Sequence, residues 1–388
     1  MSASAYPPPP ISDFTGLTAV VTGGGTGMGR ELTVQLAAAG ARVAICDVSR
    51  EHMDETVATA LASAPAASLT TFVADVADPA AVDAFARHVG EAFATDAVHL
   101  LFNNAGIGGG GSLVEADDAQ WDRVFGVCWG GVLNGMRAFR SMLLAADRGH
   151  VVNTSSVNGL WACLGPTGAH TAYSAAKFAV RGLTEALLVD FRVNAPHLTA
   201  SVVMPGHIGT SIFRNSMLEF GHDPKDLDDE YITDMRATFA RRGVDLSPAS
   251  DEDLRTLVAH RVEGFEQAAP TTAAEAATVI LDAVRAGEWR VLVGEDAHAL
   301  DRQLRQRPGD AYSDEFTAAL IASGHFGGLI VGTVLGITIG VIAAVYRNSF
   351  IDALARVFSL IGLSMPSFWL ALNSSASHTL MWNNFPFV

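Results

Sequence analysis

Apolar residues occur in short, nearly continuous runs between residues 17 and 210, and longer stretches with apolar positions at helical spacing separate these runs. A run that is apolar at almost every position is typical of a strand in a parallel sheet covered by helices on both faces. The alternation therefore predicts an α/β fold with a doubly wound parallel sheet. Strands are predicted over 18–21, 42–46, 70–73, 98–102, 150–153 and 198–203, and helices over 30–39, 79–94, 120–146 and 172–194.

The pattern changes after Thr210. Residues 211–266 are charged and mostly helical in periodicity, and this segment is longer than an ordinary connection in a compact domain. Because an insertion beside a ligand crevice is typical of a lid, we expect a helical substrate lid here. A helix over 271–286 and a strand over 289–293 then restore the alternation. The α/β domain is expected to span 11–316, after a proline-rich extension at 1–10.

The last part of the chain is apolar. Residues 326–346 form an uncharged run about 31 Å long as a helix, which matches the hydrocarbon thickness of a bilayer. Glycines at every fourth position from Gly328 to Gly340 would allow close helix contact in lipid. We therefore predict a transmembrane helix, the alternative being a buried core helix that tolerates four glycines. A second apolar stretch, 357–372, contains Pro366 and is short for a full span.

Charge and cysteine content argue against two classes of function. The net charge is −16 without a cluster of Lys and Arg, whereas recognition of a phosphate backbone needs such clusters, so we expect no nucleic-acid partner. Cys46, Cys128 and Cys163 are odd in number and lack metal-ligand spacing, so we expect no metal site and no disulfide framework. Residues 1–10 lack an export signal. We expect a cytoplasmic catalytic domain, anchored to a membrane if residues 326–346 span one.

A glycine-rich turn joins the first predicted strand to the first predicted helix. Glycines let the backbone approach a pyrophosphate, whose charge then lies at the positive end of the helix. A glycine-rich run alone fits a simple loop equally well, but the strand before it and the helix after it favour dinucleotide binding. The turn reads Thr22-Gly23-Gly24-Gly25-Thr26-Gly27-Met28-Gly29.

Asp47 follows the second predicted strand, 24 residues after Gly23. A carboxylate at this place can accept hydrogen bonds from the adenosine ribose hydroxyls and would repel a 2′-phosphate. The sequence therefore favours NAD over NADP as the cofactor. The alternative is that Asp47 is a solvated aspartate at the end of a strand.

Tyr173 and Lys177 lie four residues apart in a segment of helical periodicity, so both project from one face. An ammonium group beside a phenol lowers the pKa of the phenol towards a range useful for proton exchange near neutrality. The same spacing also occurs on ordinary helix faces, and the surrounding motifs decide between the two interpretations.

The order of these motifs resembles that of the short-chain dehydrogenase/reductase family over residues 11–316. Four segments account for the resemblance: the glycine-rich turn, Asn103-Asn104-Ala105-Gly106, Ser156 upstream of Tyr173-Ser174-Ala175-Ala176-Lys177, and Pro205-Gly206-His207-Ile208-Gly209-Thr210. The resemblance implies a Rossmann-like fold, an NAD-dependent reaction of a small-molecule secondary alcohol or ketone, and a homo-oligomer.

The family resemblance also implies roles for individual residues. Asp75 and Val76 would flank the adenine, and the turn with Asn103, Ala105 and Gly106 would support the cofactor. Ile208 and Thr210 would hold the nicotinamide carboxamide, Lys177 would bind the nicotinamide ribose hydroxyls, and Pro205 would also contact the cofactor.

The chemistry implied by the resemblance needs no metal. Ser156 would polarise the substrate oxygen, Tyr173 would give or take its proton, and the nicotinamide would exchange a hydride with the adjacent carbon. Ser155 is the rival for the serine role, but Ser156 followed by Val157 fits the family pattern better. His170 and His207 lie beside these motifs and are expected to make local hydrogen bonds rather than contact substrate.

Two departures from the family pattern affect the expected activity. Cys128 stands where the family usually has an asparagine that supports a water-mediated proton relay to the lysine, and Asn134 should point to a different helix face. We therefore expect reduced but measurable turnover. Tyr173 follows Ser156 by 17 residues, longer than usual, which indicates an insertion containing Trp161, Cys163 and Pro166 that would shape the substrate pocket.

The segment 336–370 resembles an interior piece of the permease subunit of peptide-type ABC transporters, within a permease-like region over 325–372 that a tail at 373–388 follows. One or two helices cannot enclose a transport pathway, so an anchor, a gene fusion or a sequence join explains the segment better than a working permease. Two alternative functions stay open at this stage. One is a catalytically weak NAD-binding scaffold, suggested by Cys128, and the other is a membrane transport component.

Overall fold

The structure, a computed structural model, describes residues 6–114, 117–163, 170–241 and 245–324. Strands are numbered in chain order within these ranges. They are β1 (Thr18–Thr22), β2 (Arg42–Asp47), β3 (Leu69–Val73), β4 (Leu100–Asn103), β5 (Gly149–Thr154), β6 (Leu198–Pro205), β7 (Ile208–Gly209), β8 (Thr271–Thr272) and β9 (Arg290–Val293).

Helices account for most of the other described residues. They are α1 (Gly27–Ala38), α2 (Arg50–Ser63), α3 (Pro79–Phe93), α4 (Asp118–Phe125), α5 (Gly131–Ala138), α6 (Arg140–Ala145), α7 (Thr171–Asn194), α8 (Ile212–Glu219), α9 (Asp229–Arg241), α10 (Asp251–Gln267), α11 (Ala273–Ala286), α12 (Glu295–Gln306) and α13 (Asp314–Ala322). A π-helical turn, Gly126–Gly130, joins α4 to α5.

Among the described residues, seven strands form one parallel sheet in the order β3-β2-β1-β4-β5-β6-β9. Helices α1, α2 and α11 cover one face of this sheet, and α3, α5, α6 and α7 cover the other. The predicted Rossmann-like, doubly wound α/β fold is therefore confirmed.

The apolar strand runs follow from this two-sided burial. All five positions of β1 are buried. Ala19 and Val21 belong to the hydrophobic cluster on one face, and Val20 belongs to the cluster on the other. Since neighbouring side chains point to opposite faces, a strand covered on both faces must be apolar throughout.

The strand order reverses at β1, which pairs with β2 on one side and β4 on the other. In open parallel sheets a crevice forms at this reversal, beyond the carboxyl ends of the strands. Thr22, Asp47, Asn103 and Thr154 end the strands β1, β2, β4 and β5, and so they lie along the edge of this crevice.

The predicted helix over 120–146 is interrupted, which corrects the sequence-based expectation. A π-helical turn replaces α-helix at Gly126–Gly130, and α5 ends at Ala138 before α6 begins. Glycines at 126, 130, 131 and 135 lower the intrinsic helix propensity of this stretch. Apolar periodicity alone does not reveal such a change of helix type.

The segment after Thr210 contains the helices α8, α9 and α10, in line with the predicted helical content. Its apolar side chains form their own cluster, which includes Met217, Leu227, Ile232 and Leu254. The role of 211–266 as a substrate lid stays a prediction.

The packed domain extends beyond its predicted end at residue 316. Helix α13 continues to Ala322, and both Phe316 and Leu320 are fully buried. Phe316 contacts Trp161, whose Nε1 donates a 2.6 Å hydrogen bond to the carbonyl oxygen of Ala311. The sequence had suggested that Trp161 helps to shape a substrate pocket. In the structure its side chain is buried against the carboxyl-terminal helices instead.

The predicted transmembrane helix at 326–346, the second apolar stretch at 357–372 and the resemblance to a permease all fall outside the described residues. Pro166 of the predicted insertion is also outside them. Among the residues that the structure describes, none of the helices combines the length and apolar character needed to cross a bilayer.

Candidate active site

Tyr173 and Lys177 lie one turn apart on α7, as predicted. The Lys177 side chain is 3% exposed, and its Nζ donates a 2.9 Å hydrogen bond to the carbonyl oxygen of Thr154. This bond ties the first turns of α7 to the carboxyl end of β5, and Ser156 is the second residue after β5. The structure thus brings the predicted catalytic trio, Ser156, Tyr173 and Lys177, to the same edge of the sheet.

The environment of Tyr173 affects its pKa in opposing directions. Burial raises the pKa and has the largest effect, although part of the side chain keeps contact with solvent. The Lys177 charge and a hydrogen bond with Ser156 lower the pKa. The predicted effect of Lys177 is present, but burial outweighs it, so the pKa of Tyr173 lies above its usual value of 10.

The two neighbouring serines have different surroundings. The Ser155 hydroxyl donates a 2.7 Å hydrogen bond to the carbonyl oxygen of Lys177 and is thereby engaged in holding α7. The Ser156 hydroxyl accepts a 3.1 Å bond from the backbone N–H of Asn158, and it interacts with Tyr173. This arrangement favours Ser156 over Ser155 for the substrate contact.

Cys128 lies on the π-helical turn beside the trio. Its Sγ donates a 3.2 Å hydrogen bond to the carbonyl oxygen of Ile107. A Cβ added at Gly106 would lie 3.7 Å from this Sγ and 3.5 Å from Lys177 Nζ, so the thiol and the ammonium both border Gly106. The Asn134 amide donates instead to the carbonyl oxygen of Val76, and so it does not replace the missing asparagine.

The glycine-rich turn and the 103–106 turn form one unit. The Thr22 hydroxyl oxygen accepts hydrogen bonds from the N–H groups of Asn104 and Ala105, at 3.0 and 3.1 Å. Gly23 has a φ of +66°, and a Cβ at Gly29 would overlap the carbonyl oxygen of Gly23. Because larger residues do not fit, the backbone stays bare where α1 begins, as a pyrophosphate site requires.

Asp47 lies beside the glycine-rich turn. Its carboxylate accepts hydrogen bonds from the N–H groups of Gly25 and Ser49, both at 3.0 Å. Arg30, a cation beside this turn, donates to the Gly25 carbonyl and forms a 2.7 Å ion pair with Glu55. The Asp47 carboxylate therefore contacts the glycine-rich turn at the place where ribose recognition was predicted. The Arg30 guanidinium beside it is already paired with Glu55.

Asp75 has a partner that the sequence did not indicate. Its carboxylate forms a 2.6 Å ion pair with Arg123 of α4, and Arg123 also pairs with Glu219 of α8 at 2.7 Å. A contact of Asp75 with adenine would therefore compete with, or add to, this three-residue network.

Helix α8 also contacts the predicted cofactor site in ways that sequence analysis missed. The Asn215 amide donates a 3.2 Å hydrogen bond to the Thr26 hydroxyl, and the Ser216 hydroxyl accepts a 2.7 Å bond from the N–H of Gly108. The polar residues that follow Thr210 in the sequence could have indicated these contacts with the cofactor site. With Glu219 on the same helix, they hold α8 across the crevice.

The loop from Pro205 to Thr210 closes the other side of the site. A Cβ added at Gly27 would lie 3.0 Å from Cγ2 of Thr210, so this loop touches the glycine-rich turn. Ile208 and Gly209 form β7, which pairs with β8. His207 donates through Nε2 to the carbonyl oxygen of Phe265, and its burial lowers its pKa, consistent with the predicted local hydrogen-bonding role. His170 immediately precedes α7, where its carbonyl oxygen accepts from the N–H of Ser174.

The site combines glycine backbone, the Asp47 carboxylate and the buried Lys177 ammonium beside Tyr173, a set of groups typical of a dinucleotide-binding crevice. Within the described ranges, His, Cys, Asp and Glu side chains form no group able to hold a metal ion. The cofactor and catalytic roles of the individual residues stay predictions.

Comparison with known proteins identifies relatives over most of the described region. A family model described as short chain dehydrogenase matches residues 17–219. A protein named as an oxidoreductase, SadH from Mycobacterium tuberculosis, is 35% identical over 291 residues, which cover 75% of this chain and 91% of SadH. Levodione reductase from Leifsonia aquatica is 35% identical over 230 residues, covering 58% of this chain and 81% of that protein.

Solved structures show the same likeness. A short-chain dehydrogenase/reductase from Burkholderia phymatum, in complex with NAD, aligns with a TM-score of 0.61 and 29% identity, covering 77% of this chain and 95% of that chain. The crystal structure of levodione reductase aligns with a TM-score of 0.57 and 29% identity, covering 74% of this chain and 99% of that chain.

Proposed function

The chain belongs to the short-chain dehydrogenase family and is a dehydrogenase or reductase, and we propose that it transfers a hydride between NAD(H) and a small secondary alcohol or ketone. The observation that supports this most directly is the position of Lys177, whose buried ammonium is bonded to Thr154 beside Tyr173. The hydroxyl of Ser156 interacts with the same tyrosine.

In the oxidative direction, the Tyr173 oxygen accepts the proton of the substrate hydroxyl while the Ser156 hydroxyl bonds the substrate oxygen. NAD, when bound, supplies the nicotinamide carbon that accepts the hydride. In the reductive direction Tyr173 returns the proton. Lys177 assists because its charge stabilises the phenolate, and by resemblance to the family it also binds the nicotinamide ribose hydroxyls.

We assign NAD rather than NADP as the cofactor on the surroundings of Asp47. The carboxylate lies against Gly25 of the glycine-rich turn and would repel a 2′-phosphate. Arg30 is held by Glu55 and Gly25, so this cation is engaged before a phosphate could recruit it. The relative from Burkholderia phymatum was solved with NAD.

We also propose that the chain forms a homo-oligomer through α7. Phe178, Val189 and Val193 project from the same side of this helix, Phe178 about three turns before Val189, and they are 38%, 60% and 72% exposed. Burial of such an apolar face against a second copy would stabilise a dimer. Light scattering should show a smaller assembly for Val189→Asp than for the parent, and equal masses would exclude this face.

The proposed reaction is tested by a substrate panel of secondary alcohols and ketones with NAD and NADP. Tyr173→Phe should lower kcat by about 10²-fold to 10⁴-fold while NAD still binds, because the ring stays and the proton carrier is lost. Tyr312→Phe, which changes an exposed tyrosine near the carboxyl-terminal helices, is the matched control. NAD binding without turnover of any panel member would favour the weak scaffold instead.

A further inference from the structure

Asp296 is a buried carboxylate to which the proposed chemistry gives no role. It lies in the first turn of α12 and is 2% exposed. Its Oδ2 accepts a 2.5 Å hydrogen bond from the backbone N–H of His207, and its Oδ1 accepts a 2.9 Å bond from the N–H of Ala297. One oxygen therefore holds its own helix, and the other holds the loop that approaches the glycine-rich turn.

Two glycines make room for this carboxylate. A Cβ added at Gly206 would overlap both oxygens of Asp296. Gly294 has a φ of +95°, and a Cβ there would lie 2.5 Å from Oδ1. Larger side chains at either position would push the carboxylate away, so the close approach of loop and carboxylate depends on bare backbone on both sides.

The energetics indicate that this contact is strong. A buried carboxylate is costly unless hydrogen-bond donors satisfy it, and bonds from N–H groups to an ionised acceptor are stronger than bonds between neutral groups. Asp296 also lies at the amino-terminal end of a 12-residue helix, where the helix dipole favours negative charge. The carboxylate is therefore a firm anchor for the His207 N–H.

The anchored loop is fixed on either side of His207 as well. The N–H of Gly206 donates to the carbonyl oxygen of Val293 at 2.9 Å. The His207 side chain donates to Phe265 of α10 at 2.7 Å, and the next two residues pair with β8. Asp296 thus fixes the backbone position of His207. This residue directly precedes Ile208, where β7 begins, and β7 leads to Thr210.

We propose that Asp296 is a positioning residue for the nicotinamide half of the cofactor: it holds the His207 backbone so that Ile208 and Thr210 can bind the carboxamide. This inference rests on the proposed function, in which that loop contacts the nicotinamide. In the proposed function the adenosine half binds at Asp47 and the glycine-rich turn, whereas the hydrogen bonds of Asp296 go to His207 and Ala297. Loss of the anchor should therefore weaken binding of the nicotinamide half selectively.

The experiment compares NAD with ADP-ribose, which lacks the nicotinamide, by calorimetry on the full chain. Asp296→Asn keeps the size of the side chain but turns one acceptor into an NH₂ group. We expect the affinity for NAD to fall about tenfold or more while the affinity for ADP-ribose stays within about twofold of the parent. Asp301→Asn, on the same helix but paired with Arg290 and Arg305, should leave both affinities unchanged.

A second variant covers the case in which Asp296→Asn does not fold. Gly294→Ala presses a methyl group against the carboxylate and should produce the same NAD-selective loss. Equal weakening of NAD and ADP-ribose, or no weakening of either, would overturn the positioning role. If the parent protein binds neither molecule, the proposed function itself fails, which separates that failure from the failure of this inference.

Discussion

The Lys177 ammonium lies 5.4 Å from the centroid of the Tyr173 ring, and its hydrogen bond to the Thr154 carbonyl fixes it there. The surroundings of Tyr173 thus affect the pKa of its phenol in two opposing ways. The buried surroundings favour the neutral phenol, and the ammonium favours the phenolate. The balance between them determines the pH at which Tyr173 can accept a proton.

The first prediction concerns the pH profile of alcohol oxidation. Because the Tyr173 phenolate is the proton acceptor in the proposed reaction, kcat/KM for oxidation should rise with pH through the raised pKa of Tyr173, and kcat/KM for reduction should fall over the same range. Lys177→Met removes the charge and should raise the pKa of Tyr173 further. The rise of kcat/KM for oxidation should then shift to higher pH by about one pH unit or more. Arg181 lies one turn further along α7 and pairs with Glu185, so Arg181→Met should leave the pH dependence of oxidation unchanged.

The second prediction concerns Cys128. Its Sγ is directed to the Ile107 carbonyl, and an asparagine of similar volume could offer an amide to the proton relay implied by the family resemblance. We expect Cys128→Asn to raise kcat above that of the parent, and Cys128→Ser, which keeps a donor for Ile107 but adds no amide, to leave kcat near the parent value. An asparagine variant no faster than the parent would show that this position does not limit turnover.

The third prediction concerns cofactor choice. Asp47→Ser removes the carboxylate that would repel a 2′-phosphate, and it also removes an acceptor for the Gly25 N–H and the ribose hydroxyls. The ratio of kcat/KM with NADP to that with NAD should therefore rise about tenfold or more. Asp54→Ser, at an exposed position of α2, is the control. An unchanged ratio would remove Asp47 from the ribose site.

The fourth prediction concerns stability in acid. His150 is buried, and burial lowers its pKa from 6.5 to about 4. The Ser201 hydroxyl donates to the Glu288 carbonyl, so His150 donates to Ser201 through Nε2, at 2.6 Å. Its Nδ1 has no hydrogen-bond partner among the described residues. Protonation of Nδ1 would place an unpaired N–H in the core.

Because the unfolded chain takes up this proton near pH 6.5 and the folded chain only near pH 4, acid favours unfolding between these values. The free energy of unfolding should fall by up to roughly 3 kcal/mol across this window. Denaturant titrations at several pH values should show a flatter profile for His150→Asn, whereas His298→Asn, at an exposed position, should keep the parent slope. Identical slopes for His150→Asn and the parent would contradict the assignment.

Sequence patterns predicted the central strands β1, β4, β5 and β6 well, because every position of these strands is buried and burial on both faces leaves a continuous apolar run. Helix α2 was not predicted, since its buried positions are Met53, Thr56 and Ala60, and small or polar residues give little periodicity. Trp161 was assigned to the substrate pocket because it lies in the insertion indicated by the long spacing between Ser156 and Tyr173. Its contact with Phe316 joins positions 155 residues apart, which no local pattern reveals.

The predicted catalytic trio could be named from the order of motifs, whereas the contacts that support these residues could not. Thr154 holds Lys177 through a backbone carbonyl, and a carbonyl has no signature in the sequence. Arg123 joins Asp75 to Glu219 across 144 positions of the chain, and Asp296 reaches the His207 backbone from the next-to-last described helix. Such contacts depend on how the elements pack, and the sequence pattern specifies only the elements.

The bonds that the Thr22 hydroxyl accepts from the N–H groups of Asn104 and Ala105 also constrain when the predicted nucleotide site can form during folding. They connect positions more than 80 residues apart, and closing so long a loop is slow relative to forming local helices. A chain still leaving the ribosome cannot complete this half of the site until β4 has emerged and docked on β1. A cofactor that binds at this predicted site would therefore stabilise the fold only in the late stages, by binding chains in which this strand pair already exists.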